Sequence, residues 1–229
     1  MPNHTTFEGR VPVSIALALL ESLRDVDTPS DPDALAESDL PLILQRRLGL
    51  SGVVVDQIRR YERRRSEEVP AGEVASLFGL IGRRPDATRI FVEAGQRIAR
   101  SDLDDRKLVA RIGTRLSPLS VRERAALRRA RRIARRMSPR AEIRLRHKPH
   151  GLVIRHALSA RATTDGAGCA ALAGAIQYVF SEYRADRFRV VHDLCEGRSA
   201  DRCEWILQAA GASEADERPL TEPEPAPGG

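Results

Sequence analysis

FRVVHDLCEGRSADRCEWIL, residues 188–207, is the stretch on which the reading of the fold turns. Two short runs of strand-forming residues, Phe188–Leu194 and Cys203–Leu207, flank the polar segment Glu196–Arg202, so the chain folds back on itself as an antiparallel hairpin. Immediately upstream, Cys169–Arg184 sets Ala171, Leu172, Ile176, Val179, Phe180 and Tyr183 on one side of a helix, and the glycines of Asp165–Gly168 open it. Further upstream the pattern alternates. Ile143, Leu145 and His147 alternate with Glu142, Arg144 and Arg146; after a Lys148–Gly151 turn, Leu152, Ile154, His156 and Leu158 alternate with Val153, Arg155 and Ala157. That is an earlier hairpin. The C-terminal half therefore reads ββαββ, and the fold class is α+β: a helical N-terminal region followed by an antiparallel sheet covered on one face by helices.

Ahead of the sheet the pattern is helical. Helices are expected over Val13–Arg24, Leu42–Leu48, Val53–Arg65, Gly72–Ile81 and Thr88–Arg100, with an acidic, proline-bearing connector over Asp25–Pro41 and a loose start over the first ten residues. Leu103–Met137 is helical with a break at Ser117–Pro118. In its second half Ala126, Ala130, Ile133 and Met137 make a narrow apolar stripe, and Arg128, Arg129, Arg131, Arg132, Arg135 and Arg136 make a cationic face. These signals divide the chain into a helical region over residues 1–85, a mixed domain over 86–210 and a disordered, acidic, proline-rich tail over 211–229.

The 229 residues are 41% hydrophobic and 31% charged, enough to bury a sizeable core. The longest apolar stretch, Val13–Leu20, is far short of the roughly 20 residues of a membrane span. As a secretory leader it is poor, with only Arg10 as a basic residue ahead of it and no small-residue cleavage site after it, which points to the cytoplasm. The net charge of +6 attracts phosphate chains and anionic headgroups alike. All but two of the 38 basic residues, Lys107 and Lys148, are arginines; a GC-rich genome produces that skew without selecting a partner.

Three cysteines cannot close a disulfide framework, so the sulfur is present as thiol or metal ligand. With His192 they form the pattern C-x22-H-x2-C-x7-C. Cys195 and Cys203 stand at the two ends of one hairpin turn, His192 lies just upstream on the same ribbon, and Cys169 opens the intervening helix, where backbone N–H groups and the helix dipole favour a thiolate. Packing that helix on the sheet delivers a Cys3His set of the kind zinc takes in closed structural sites. Asp193, Glu196 and Asp201 are the alternative fourth ligands. The same residues also suit a core in which three small thiols fill gaps and His192 is an ordinary strand histidine.

The helix start Gly166-Ala-Gly-Cys169, the apolar helix after it, and Val190-Val-His-Asp-Leu-Cys195 followed by Gly197 and Cys203-Glu-Trp resemble the 4-vinyl reductase family, also described as a hydrocarbon-binding domain, over Asp86–Gln208. That family includes a protein associated with bacteriochlorophyll 4-vinyl reduction and the sensory domains of aromatic-responsive transcription activators. Related folds occur in small subunits of vesicle-tethering complexes. In its phenol-sensing members three cysteines and a glutamate hold zinc beside the ligand pocket. The resemblance implies that Cys169, Cys195 and Cys203 are the thiolates, with His192 standing where the glutamate is expected.

A helix laid across a sheet encloses a cavity, and its expected walls are Ile154, Leu172, Ile176, Phe180, Phe188 and Trp205, with His156 on the same face as a hydrogen-bond donor or acceptor to a small hydrophobic molecule. No catalytic or nucleotide-binding motif stands out, and four protein ligands leave a zinc ion no position for water. The expected function is a non-catalytic zinc-containing sensor or carrier of a hydrophobic or aromatic molecule. A bacteriochlorophyll-pathway reductase or its accessory rests on the family name alone. A DNA-linked regulator is the other alternative: Leu48-Gly-Leu-Ser-Gly52 and Gln57-Ile-Arg-Arg-Tyr-Glu62 resemble the helix-turn-helix of MerR-type regulators, with Arg59, Arg60 and Arg63 meeting phosphates. A second copy of the chain completes the candidate partners.

Overall fold

The computed structural model describes residues 7–27, 52–104, 118–183 and 188–209. The expected helix over Leu42–Leu48, most of the acidic connector and the tail over 211–229 lie outside the described residues. The elements run β1 (Arg10–Pro12), α1 (Val13–Asp27), α2 (52–62), β2 (Glu68–Pro70), α3 (Ala71–Ile81), α4 (Ala87–Asp104), α5 (Leu119–Met137), β3 (Glu142–His147), β4 (His150–Arg155), α6 (Leu158–Arg161), α7 (Cys169–Glu182), β5 (Phe188–Leu194), a single 3-10 turn at Glu196–Arg198, and β6 (Cys203–Ala209). The class is α+β.

Four antiparallel strands form the main sheet in the order β3-β4-β6-β5. The two hairpins thus join edge to edge through β4 and β6, with Ile154 opposite Cys203 and Leu152 opposite Trp205. Helices α5 and α7 pack on the sheet, and α4 in turn lies against α7. Two glycines set that last crossing. A Cβ on Gly95 would stand 1.8 Å from the Ala171 carbonyl oxygen, and one on Gly174 would stand 2.4 Å from that of Val92. The two backbones touch where larger residues would hold them apart, and α7 is seated at a fixed depth on the sheet.

One apolar core runs through the molecule. Ile15 and Leu19 of α1, Phe78 of α3, Ile90 and Phe91 of α4, Ile133 of α5, Ile176 and Phe180 of α7 and Trp205 of β6 are all at most 2% exposed. Phe78 stacks on Phe91 with ring centroids 5.2 Å apart; burying such a ring stabilises the fold by about 1.5–3 kcal/mol. Ion pairs clamp the rim. Arg84 binds Asp27 at 2.7 Å and Asp86 at 2.8 Å, joining the end of α1 to the α3–α4 connection. Arg97 gathers Glu21, Asp25 and Glu93, joining α1 to α4.

Several expectations need correction. Arg10–Pro12 is not loose: it pairs with Glu68–Pro70 as a two-stranded ribbon. Helix α2 stops at 62 rather than reaching Arg65, because the Arg64 N–H turns back to the Tyr61 carbonyl and the chain must reverse to reach β2. The cationic face of α5 is not wholly solvated, since Arg129 and Arg136 both pair with the buried Asp102 of α4. Strand β4 ends at Arg155, so alternation does not carry His156 inward, and Leu158 is buried from a helix rather than from the strand. His156 takes φ +60°, which breaks the strand, and its side chain is 60% exposed; Leu158 instead opens α6.

Candidate metal centre

The β5–β6 hairpin places three of the four candidate ligands. An x2 spacing sets His192 and Cys195 on opposite faces of a regular strand. The register slips by one residue between His192, opposite Trp205, and Leu194, opposite Glu204. The extra residue, Asp193, is a bulge that restores the parity and lets His192 and Cys195 face the same way. The turn is then closed by Arg198 and Ala200, whose N–H groups both donate to the Cys195 carbonyl at 2.9 and 3.2 Å. Helix α7 brings the fourth. Cys169 is its first residue, and the loop before it runs under the cluster: Gly166 holds φ +74°, and a Cβ there would sit 2.2 Å from Cys195 Sγ. Glycine is the residue that tolerates both the left-handed backbone and the contact.

The result is a tight group. One ligand atom from each of Cys169, His192, Cys195 and Cys203 lies within 4.8 Å of all the others. Cys169 Sγ is 3.9 Å from Cys195 Sγ and 3.8 Å from Cys203 Sγ, and all three cysteines are buried and unbridged. His192 stacks on Trp205 with ring centroids 4.7 Å apart and the planes 12° from parallel, and its Nε2 is buried without a hydrogen-bond partner. A buried polar atom left unpaired costs about 1–3 kcal/mol; coordinating an ion relieves that cost. The group could hold a metal ion.

The alternative fourth ligands point elsewhere. Glu196 accepts a hydrogen bond from the Ala157 N–H at 3.1 Å and sits 3.6 Å from His156 Nδ1. Asp201 pairs with Arg155 and Arg202, and Asp193 is exposed.

The electrostatics correct one expectation. The helix start does not make Cys169 the thiolate. Its hydrogen bond to Cys203 and its burial hold the Cys169 thiol far above the ordinary range. Cys203 is the anionic partner, pulled down to about 5 by the Cys169 thiol first, then by His192 and the Glu196 N–H, which lies 3.2 Å from its sulfur. Burial and the neighbouring Cys203 push Cys195 up.

Of the other candidate residues, Ile154, Leu172, Ile176, Phe180 and Trp205 are at most 4% exposed and pack as core, while Phe188 is half-buried with its ring edge-on to Phe180. Gln177 ties α7 to this strand, donating to the Phe188 carbonyl and accepting from the Val190 N–H. Arg59, Arg60 and Arg63 are exposed, Arg59 beside Asp56 at 3.7 Å; the Leu48–Ser51 part of the helix-turn-helix reading lies outside the described residues. An open apolar cleft of about 520 Å³ lies between α1, α2 and α3, walled by Leu20, Leu23, Val54 and Leu77 with Val53 and Leu80 at its rim. Sequence reasoning missed this cleft, the bulge at Asp193 and the part played by Gly166. Of these only Gly166 carried a signal, a glycine three residues ahead of a candidate ligand.

Fold and site together define an α+β protein with a Cys3His group, its three cysteines buried and its histidine half-buried, able to hold a metal ion across a helix and a hairpin. No family model matches the chain, and no curated protein or solved structure matches it.

Proposed function

We propose that the chain is a non-catalytic, zinc-clipped binding domain, related to the 4-vinyl reductase family and acting in the cytoplasm as a sensor or carrier of a small hydrophobic molecule. The sulfur spacing carries the metal part. Thiolates bound tetrahedrally at about 2.3 Å stand about 3.8 Å apart, and the Cys169 sulfur lies 3.8 and 3.9 Å from its two partners. Three thiolates and an imidazole suit zinc, and four protein donors leave the ion no place for a reacting water, so its part is structural.

The cleft between α1, α2 and α3 supports the ligand part. Its volume of about 520 Å³ falls within the roughly 300–1,000 Å³ typical of small-molecule sites. It offers apolar walls with the Tyr61 hydroxyl, 3.2 Å from Glu73, as a polar anchor. Among the described residues it admits such a molecule without lifting α7 off the sheet.

Native mass spectrometry of protein purified without added metal tests both parts. One zinc per chain is expected together with a co-purifying apolar molecule, and Cys203→Ser is expected to abolish zinc retention. Full zinc occupancy in single serine variants of all three cysteines would refute the site. A zinc-loaded chain that binds no apolar molecule would keep the clip and remove the carrier.

A further inference from the structure

Helix α5 carries more arginine than its ion pairs use. Arg129 and Arg136 are engaged with Asp102, but Arg124, Arg128, Arg132 and Arg135 are exposed and have no acidic partner among the described residues. Their spacings of four, four and three residues place them on one helix face. At 1.5 Å per residue the row is about 16 Å long. Its C-terminal end opens into a cleft of about 530 Å³ between α5, the start of α1 and the turn before β2.

Arg65, Arg132 and Arg135 all line that cleft, together with Ser14 and Ser66. The acids on its wall are neutralised locally. Glu67 pairs with Arg64 at 2.8 Å, and Glu68 lies against Arg10. Three guanidinium groups without an acidic partner among the described residues therefore line one cleft from two segments distant in sequence.

We propose that this row and cleft form a track for the sugar-phosphate backbone of a nucleic acid, held without reading its bases. The chemistry fits. Arginine forks bind phosphate oxygens bidentately, and one strand of a duplex presents roughly five phosphates over the length of the row. A single phosphate would leave most of the row unused. Among the described residues the exposed face of α5 offers Val121 as its one large apolar residue to bury in lipid, which disfavours a membrane surface. Arg59, Arg60 and Arg63, on α2 and the turn that also carries Arg65, do not line this cleft.

Fluorescence anisotropy of the full chain with a labelled short DNA of mixed sequence, at several salt concentrations, tests the proposal. Replacing Arg65, Arg132 and Arg135 together by serine is expected to weaken binding at least about tenfold and to flatten the log–log salt slope by about 0.7–0.9 for each lost contact. The single change Arg132→Glu, which removes no described ion pair, is expected to act in the same direction. Serines at Arg59, Arg60 and Arg63 are expected to leave the affinity within about twofold, and scrambling the DNA sequence is expected to change nothing. Equal losses in both triple variants would reduce the effect to bulk charge and overturn the track. So would wild-type protein that binds phosphatidylserine vesicles but no DNA, or that binds neither.

Discussion

At Gly166 a lone hydrogen makes room for the Cys195 sulfur. Alanine there would put a methyl 2.2 Å from Sγ on a backbone already at φ +74°. Gly166→Ala is therefore expected to destabilise the fold by about 1–3 kcal/mol and to weaken metal binding, read by urea denaturation and by competition with a chelating dye; unchanged affinity would place the loop outside the site. The protonation states make a second prediction at this scale. Cys169 and Cys195 are held above the ordinary thiol range, whereas Cys203 is pulled below that range by the Cys169 thiol beside it and is the most readily ionised of the three. A metal ion must displace the protons that remain, so its affinity rises with pH. The two raised cysteines are expected to contribute about two protons per ion at pH 7.5. Calorimetry in buffers of different ionisation enthalpy measures that number; three protons would mean that Cys203 is protonated in the free protein.

Between elements, the α4–α7 crossing is the sensitive joint, because Cys169 rides on the first residue of α7. Gly174→Ala would drive a methyl to 2.4 Å from the Val92 carbonyl oxygen, backbone against side chain with no rotamer to yield. A loss of about 1–3 kcal/mol is expected, together with weaker zinc binding as the Cys169 sulfur shifts away from the hairpin; thermal melts with and without zinc separate the two effects. This joint also marks what the sequence could and could not disclose. The ββαββ order and the convergence of Cys169, Cys195 and Cys203 follow from periodicity and from the short polar turn at Glu196–Arg202. The parity of His192 does not, because Asp193 looks like any other strand residue until its partner strand fixes the register. Nor does the end of β4: the alternation continues in sequence through Leu158, while the backbone departs at His156. The depth of α7 depends on Gly95 and Gly174 meeting a helix about eighty residues away, a contact that no local pattern encodes.

On the scale of the whole molecule, an ion in the proposed site and the apolar core would divide the labour. Helices α1, α3 and α4 are joined by Phe78, Phe91 and the Arg84 and Arg97 ion pairs, none of which involves a candidate ligand, although the Phe78 ring lies against Gly168 just ahead of Cys169. The loop before α7 and the β5–β6 turn meet through the sulfurs, through Gly166 lying against Gly197 and through Arg198, which donates to the Asp165 carbonyl at 3.1 Å. An ion that binds only the folded state stabilises it by RT ln(1 + [L]/Kd), about 4 kcal/mol at a thousandfold excess over Kd. Stripping zinc with a chelator is therefore expected to lower Tm by several degrees, and readdition of zinc is expected to restore it. Hydrogen exchange should show where the stability was held. Lost protection is expected in residues 166–171 and 192–204, while the amides of α1 and α4 keep theirs, because the loop and hairpin turn can open locally while α1 and α4 stay joined by their own packing and the Arg97 ion pairs. Uniform loss of protection through α1 and α4 would mean that the ion stabilises the entire core and that the hairpin has no separate opening.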